Sequence, residues 1–83
     1  MTHFTLYSRS WCHLCDDMLQ ALRGYAEHHH FTLDVIDIDL DETLVARYDE
    51  LVPVLVGTKN GGPPRQLCHY FLDANSVDAF LAE

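Results

Sequence analysis

The hydrophobic period of this chain changes from two to 3.6 and back to two within its first 38 residues. That double change limits the fold more than any other feature of the sequence. Residues 3–8, HFTLYS, set Phe4 and Leu6 against Thr5 and Tyr7, the alternation of a strand. After a turn at Ser8-Arg9-Ser10, the residues Leu14, Met18, Ala21, Leu22 and Tyr25 fall on one helical stripe. Asp17, Gln20 and Glu27 lie off that stripe, so a helix is predicted over 14–28. Residues 31–38, FTLDVIDI, read as a second strand. A strand, helix and strand in this order make a right-handed crossover, which leaves the two strands parallel. The apolar phase slips between Val35 and Ile36, which predicts either burial on both faces or a bulge.

The remainder adds a second short helix, a strand pair and a last helix. Asp39-Leu40-Asp41-Glu42 opens a helix that runs to Tyr48, with Asp39 or Asp41 as its cap and Leu44, Val45 and Tyr48 inward. Residues 52–57, VPVLVG, form a third strand with Pro53 at its entrance. Lys59-Asn60-Gly61-Gly62-Pro63-Pro64 is turn chemistry, so the fourth strand, 65–70, returns antiparallel. Asp73-Ala74-Asn75-Ser76 supplies the cap of a last helix with Val77, Phe80 and Leu81 inward. The order β-α-β-α-β-β-α specifies an α/β domain with a mixed four-stranded sheet flanked by helices. At 83 residues this is one domain, 1–83, without internal repeats. A net charge of −8 argues against nucleic acid and anionic membrane surfaces as partners. No apolar run approaches the ~20 residues that span a bilayer, and Met1-Thr2-His3 does not open a secretory segment. Three cysteines, an odd count, suit a reducing compartment better than a disulfide scaffold, so a cytoplasmic location is expected.

The chemistry concentrates in Arg9-Ser10-Trp11-Cys12-His13-Leu14-Cys15. Here the first strand feeds the first helix, so Cys12 is predicted at or just before the helix N-terminus. Free backbone N–H groups and the positive dipole end stabilise a thiolate there. Cys15 falls one turn later, close enough to resolve a mixed disulfide on Cys12. Arg9 and a protonated His13 would favour the thiolate, whereas Asp16 and Asp17 would oppose it. The same pair also admits a metal reading. Zinc takes four ligands, and without a second C-x-x-C the site would have to recruit His13, Cys68 or His69, or be shared between two chains. An inert buried pair is the third reading. Cys68 reads as a small apolar strand residue, and His28-His29-His30 as an exposed helix end, because consecutive helical positions do not face one ligand. Asp34, Asp37, Asp39, Asp41 and Glu42 read as a solvated acidic rim, and Trp11 as either a core cap or a substrate platform.

The element order, together with Trp11-Cys12-His13-Leu14-Cys15 and Val52-Pro53, resembles the glutaredoxin and thioredoxin family, and in particular its short bacterial glutaredoxin-like members. The resemblance spans essentially the whole chain. It implies a thioredoxin-like fold and a thiol–disulfide oxidoreductase in which Cys12 attacks and Cys15 resolves. It also implies a cis peptide bond before Pro53, with the backbone of Val52 open to pair with a substrate strand. Arg9, Trp11, His13, Val52 and Pro53 become candidate substrate-binding residues, Arg9 standing where glutaredoxins carry a basic residue for glutathione. The chain departs from the family between its cysteines, where His and Leu replace Pro-Tyr or Gly-Pro. It departs again before the last helix, where the glutathione-binding Gly-Gly and acidic pair are missing and Gly61-Gly62 lie earlier, in the hairpin turn. The resemblance therefore carries the fold and the dithiol further than it carries glutathione binding. The expected substrate is a disulfide-containing protein or a small thiol, and the expected state is a monomer. No bound organic cofactor is expected to be needed, and electrons are expected from glutathione or another dithiol. The rivals are a metal or iron–sulfur binding module and a redox-silent adaptor on the same fold.

Overall fold

The apolar run Val54-Leu55-Val56 with Gly57 lies at the middle of the sheet, where both faces are covered. The computed structural model describes residues 1–83 and has the order β1 (Thr2–Ser8), α1 (His13–Tyr25), β2 (Thr32–Asp37), a 3₁₀ turn (Ile38–Leu40), α2 (Glu42–Tyr48), β3 (Val54–Lys59), β4 (Arg65–His69) and α3 (Ala74–Ala82). The strands stand in the order β2-β1-β3-β4. β1 is parallel to β2 and antiparallel to β3, and β4 returns antiparallel to β3.

Alternation along the central strands divides the core between two faces. On one face Phe4 and Leu6 of β1 and Leu55 of β3 pack with Met18 and Leu22 of α1 and with Val77 and Phe80 of α3. On the other, Val54 and Val56 of β3 pack with Ile38 and Tyr48, and Tyr7 stacks on the Tyr48 ring at 4.6 Å between centroids. Full burial of each of these aliphatic or aromatic side chains stabilises the fold by roughly 1.5–3 kcal/mol. Gly57 is required by packing: a Cβ there would meet the Phe80 ring at 2.7 Å.

Short carboxylate caps fix where each later element starts. Asp41 accepts from the Thr43 N–H at 2.8 Å and Asp73 from the Asn75 and Ser76 N–H groups, so α2 and α3 begin at the next residue. Helix α1 closes at Tyr25, and His28, His29 and His30 lie exposed in the turn beyond it.

One expectation requires correction here. The phase slip at Val35 and Ile36 is neither a bulge nor a doubly buried strand. The β1–β2 register runs unbroken from His3↔Thr32 to Ser8↔Asp37, and Val35 is 49% exposed on an edge strand. The cause is the 3₁₀ turn that follows: its Asp37 cap redirects the chain and swings Ile38 into the core. The acidic rim is solvent-exposed as expected, Asp37 in part, and most of its carboxylates also hold a surface partner. Asp34 lies 3.3 Å from His3, Asp37 caps the 3₁₀ turn, Asp39 pairs with Arg9 and Asp41 caps α2. The one bulge lies elsewhere, between Leu55 and Val56, where β4 slips by a residue.

Candidate active site

Cys12 is the N-cap of α1. Its backbone is extended (φ −111°, ψ 107°), and its Sγ accepts the Cys15 N–H at 3.2 Å. A sulfur in that position faces the unpaired N–H groups of the first turn and the positive end of the helix dipole, which favours the thiolate. Cys15, one turn on, is joined to Cys12 by a disulfide, with the two Cα atoms 5.2 Å apart. The two sulfurs differ in access. Cys12 is part-exposed, whereas Cys15 is 3% exposed beneath the helix. An incoming disulfide therefore reaches Cys12 first. His13, the first residue of α1, is exposed.

The loop before Cys12 is held from its other side. Arg9 donates from Nε and Nη2 to Asp39 at 3.0–3.2 Å, and its Nη1 lies 2.7 Å from Asp49. These hydrogen bonds, with Asp39 foremost, push the Arg9 pKa above its usual value, so the guanidinium stays charged and paired. Ser10 Oγ donates to Asp37 at 3.3 Å. The positive charge that the sequence offered to the Cys12 sulfur is thus engaged by two carboxylates. Trp11, between this clasp and the cap, has φ 62° and is fully exposed. Its left-handed backbone costs a bulky residue roughly 1–3 kcal/mol and lifts the indole off the body of the protein. The core-cap reading of Trp11 is therefore corrected, and the indole is presented to solvent beside Cys12.

The Val52–Pro53 peptide bond is cis, and Pro53 is buried. Tyr7 faces Val54 across the β1–β3 ladder, and Val54 faces His69 of β4. The start of β3 and the ends of β1 and β4 therefore share one end of the sheet with Cys12. The backbone of Val52 is open on one side only: its N–H donates to the Tyr48 carbonyl at 3.1 Å, while its carbonyl accepts no hydrogen bond from the protein. The backbone of Val52, expected open to a substrate strand, thus offers its carbonyl alone, because the last turn of α2 captures the N–H.

Arg9, Trp11, Cys12, His13, Cys15, Val52 and Pro53 all lie at this end. Sequence reasoning missed Asp39 and Asp49, which claim Arg9. It also missed Tyr70 and Phe71, which follow β4. The Tyr70 N–H donates to the Pro53 carbonyl at 3.0 Å and its hydroxyl to the Glu50 carbonyl at 2.6 Å, while Phe71 is 69% exposed. The signal was present in Tyr70-Phe71-Leu72, an apolar run placed between a strand and a helix cap. Cys68 stands apart. It faces Leu55 within the α1–α3 core, and burial pushes its thiol pKa up. No group of three or more His, Cys, Asp or Glu side chains converges to hold a metal ion, so Cys12 and Cys15 have no third donor within the chain.

The model of the glutaredoxin-like domain (DUF836) matches residues 3–82. Protein Ne2328 of Nitrosomonas europaea, solved by NMR, is 39% identical over 96% of this chain and 91% of its own, with a TM-score of 0.84. The structural-genomics target XcR50 of X. campestris is 34% identical over 95% of both chains, with a TM-score of 0.63. Oxidised mitochondrial thioredoxin 3 of Saccharomyces cerevisiae is only 13% identical but superposes over 98% of this chain and 76% of its own, with a TM-score of 0.74, and so shares the fold. Among curated proteins none matches the chain.

Proposed function

This chain belongs to the glutaredoxin-like domain (DUF836) family, and on that premise we propose that it is a thiol–disulfide oxidoreductase working through Cys12 and Cys15. The observation that carries the reading is the asymmetry of the pair: one sulfur part-exposed at a helix N-cap, the other buried one turn behind it within bonding reach. In the reduced protein the Cys12 thiolate attacks one sulfur of a substrate disulfide. A Cys12–substrate disulfide forms, and the other substrate sulfur leaves as a thiolate that takes up a proton. Cys15 loses its proton and attacks the Cys12 sulfur. The Cys12–Cys15 disulfide forms and the second substrate thiol departs. Two electrons and two protons pass to the substrate, and the protein is left in the disulfide form described above. A thiol or dithiol reductant, glutathione or a second dithiol protein, returns it to the start.

Val52 and Pro53 border this chemistry. The free Val52 carbonyl is suited to accept one backbone hydrogen bond from an extended substrate. Trp11 and His13, both exposed beside Cys12, are the side chains placed to touch it. The reaction belongs in a reducing compartment such as the cytoplasm, where a single further thiol, Cys68, remains unpaired. The protein works as a monomer without a bound organic cofactor.

The test is a trap. With Cys15→Ser, a protein or peptide disulfide is expected to leave a stable mixed disulfide on Cys12, seen as an intact-mass gain that dithiothreitol reverses. With Cys12→Ser no such adduct forms. Equal adducts in both variants, or none in either, would overturn the reading.

A further inference from the structure

Six large apolar side chains are exposed on this protein, and four of them, Trp11, Leu40, Tyr70 and Phe71, are at the dithiol end. Leu40 closes the 3₁₀ turn whose Asp39 holds Arg9, and is 85% exposed. Trp11 adjoins the Cys12 cap, and Tyr70 and Phe71 follow the strand that pairs with Val54. Exposed apolar residues scattered singly need no explanation, but their concentration at one end marks an interaction surface.

The same end is acidic. Asp16 stands in the first turn of α1 with Asp17 directly after it, Asp37 at the end of β2 and Asp39 in the 3₁₀ turn that follows, and Asp49 and Glu50 before β3. Against them stand Arg9, which is paired to Asp39 and Asp49, and Arg47, whose guanidinium lies over its neighbour Tyr48 at 5.9 Å. A small disulfide that carries its own carboxylates finds Arg47 as the one guanidinium outside an ion pair here, and meets repulsion from the surrounding carboxylates on several sides. Asp73 also carries negative charge, and its carboxylate is engaged as the cap of α3.

Resting on the dithiol reading above, we infer that the partner of this end is a polypeptide disulfide with a cationic side chain and a large apolar side chain beside its cystine, rather than a small anionic disulfide. The cation meets the acidic collar, and the apolar group meets Trp11 and Phe71. In the exchange the substrate disulfide breaks and the Cys12–Cys15 disulfide forms, with the two electrons passing to the peptide sulfurs as before.

The experiment uses the reduced full chain and four fluorogenic peptide disulfides of equal length, flanked by Lys and Phe, Glu and Phe, Lys and Ala, or Glu and Ala, with glutathione disulfide as the fifth substrate. Each rate constant is divided by that of dithiothreitol on the same substrate, which removes differences in intrinsic reactivity. The Lys-Phe peptide is expected to exceed the Glu-Phe peptide about tenfold. That ratio should collapse as ionic strength rises from about 0.01 to about 1 M, because the screening length falls from about 30 to about 3 Å. Phe should exceed Ala about fivefold, the factor that corresponds to about 1 kcal/mol. Trp11→Ala with Phe71→Ala should erase the Phe advantage and leave the Lys-to-Glu ratio. Asp17→Asn with Glu50→Gln should do the reverse. Glutathione disulfide matching the Lys-Phe peptide, or both ratios near one while exchange persists, would overturn this inference and leave the oxidoreductase reading standing. Failure to exchange with any of the five would overturn both.

Discussion

Cys12 and Cys68 are the same side chain in opposite surroundings. Cys12 caps a helix, part-exposed, with its sulfur among backbone donors. Cys68 lies inside a strand, faces Leu55, and is enclosed by the core that α1 and α3 cover. The first setting stabilises the thiolate by hydrogen bonds and the helix dipole, and leaves a path for a partner. The second withdraws solvent from the thiolate and raises its pKa. Backbone position and burial therefore set the two thiols apart: one small fold holds a cysteine at a helix N-cap, open to a partner, and another enclosed in its core.

The largest expected effect is on exchange itself. Cys12→Ser should lower the rate of disulfide exchange on the order of 10³-fold or more, as loss of a nucleophile does, while Cys68→Ala should keep most of it. Stopped-flow turnover of a fluorogenic peptide disulfide measures both, and a comparable loss in Cys68→Ala would erase the distinction. Next comes the wall around the inert thiol. Leu55→Ala should cost about 2–5 kcal/mol by the cavity it leaves, read from urea unfolding, and should raise the rate at which Cys68 is alkylated in the native state. Unchanged alkylation would mean that Leu55 does not shield it.

A smaller effect tests what holds the Cys12 loop. Arg9→Gln removes the clasp on Asp39 and Asp49, and should lower the thermal midpoint less than Leu55→Ala does, with exchange on a neutral peptide nearly kept. If Arg9→Gln abolished exchange and left the midpoint alone, Arg9 would be a substrate ligand after all. The smallest effect is on pH. Burial raises the Cys68 pKa in the folded protein, so the folded state retains its proton where the unfolded chain releases it. The stability this provides is complete below the ordinary thiol pKa of about 8.5 and declines as pH rises above that toward the folded value. Cys68→Ala should lack that share of the alkaline decline in urea titrations.

Much of this arrangement was legible in the sequence, because it depends on local rules. The change of period around residue 9 placed Cys12 at a strand–helix junction, and cap chemistry announced the later helices, narrowing the cap of α2 to Asp39 or Asp41, of which Asp41 serves, and that of α3 to residues 73–76, of which Asp73 serves. The Gly-Pro turn after Lys59 gave the antiparallel pair. What escaped was non-local. Arg9 meets Asp39, 30 residues away, and Asp49 only because β1 and β2 end together and α2 brings its C-terminus back. Val52 loses its N–H to Tyr48 because the last turn of α2 runs on into that loop. Trp11 was ambiguous because an indole suits a core and a surface equally, and the left-handed backbone that exposes it has no signature in a non-glycine residue. The slip at Val35 and Ile36 was visible, but its cause lay in a three-residue 3₁₀ turn that has no periodicity of its own.

The central claim is that Cys12 and Cys15 act as one two-electron couple while Cys68 stays outside it. Thiol trapping with intact mass, across dithiol buffers of graded potential, tests this most directly. The account predicts that two alkylation sites disappear together and return reversibly, with a single midpoint between about −270 and −120 mV, and that Cys68 alone becomes labelled when the protein is unfolded under oxidising conditions. All three thiols labelled in the unfolded protein at every potential, or Cys68 lost together with one of the other two, would contradict it.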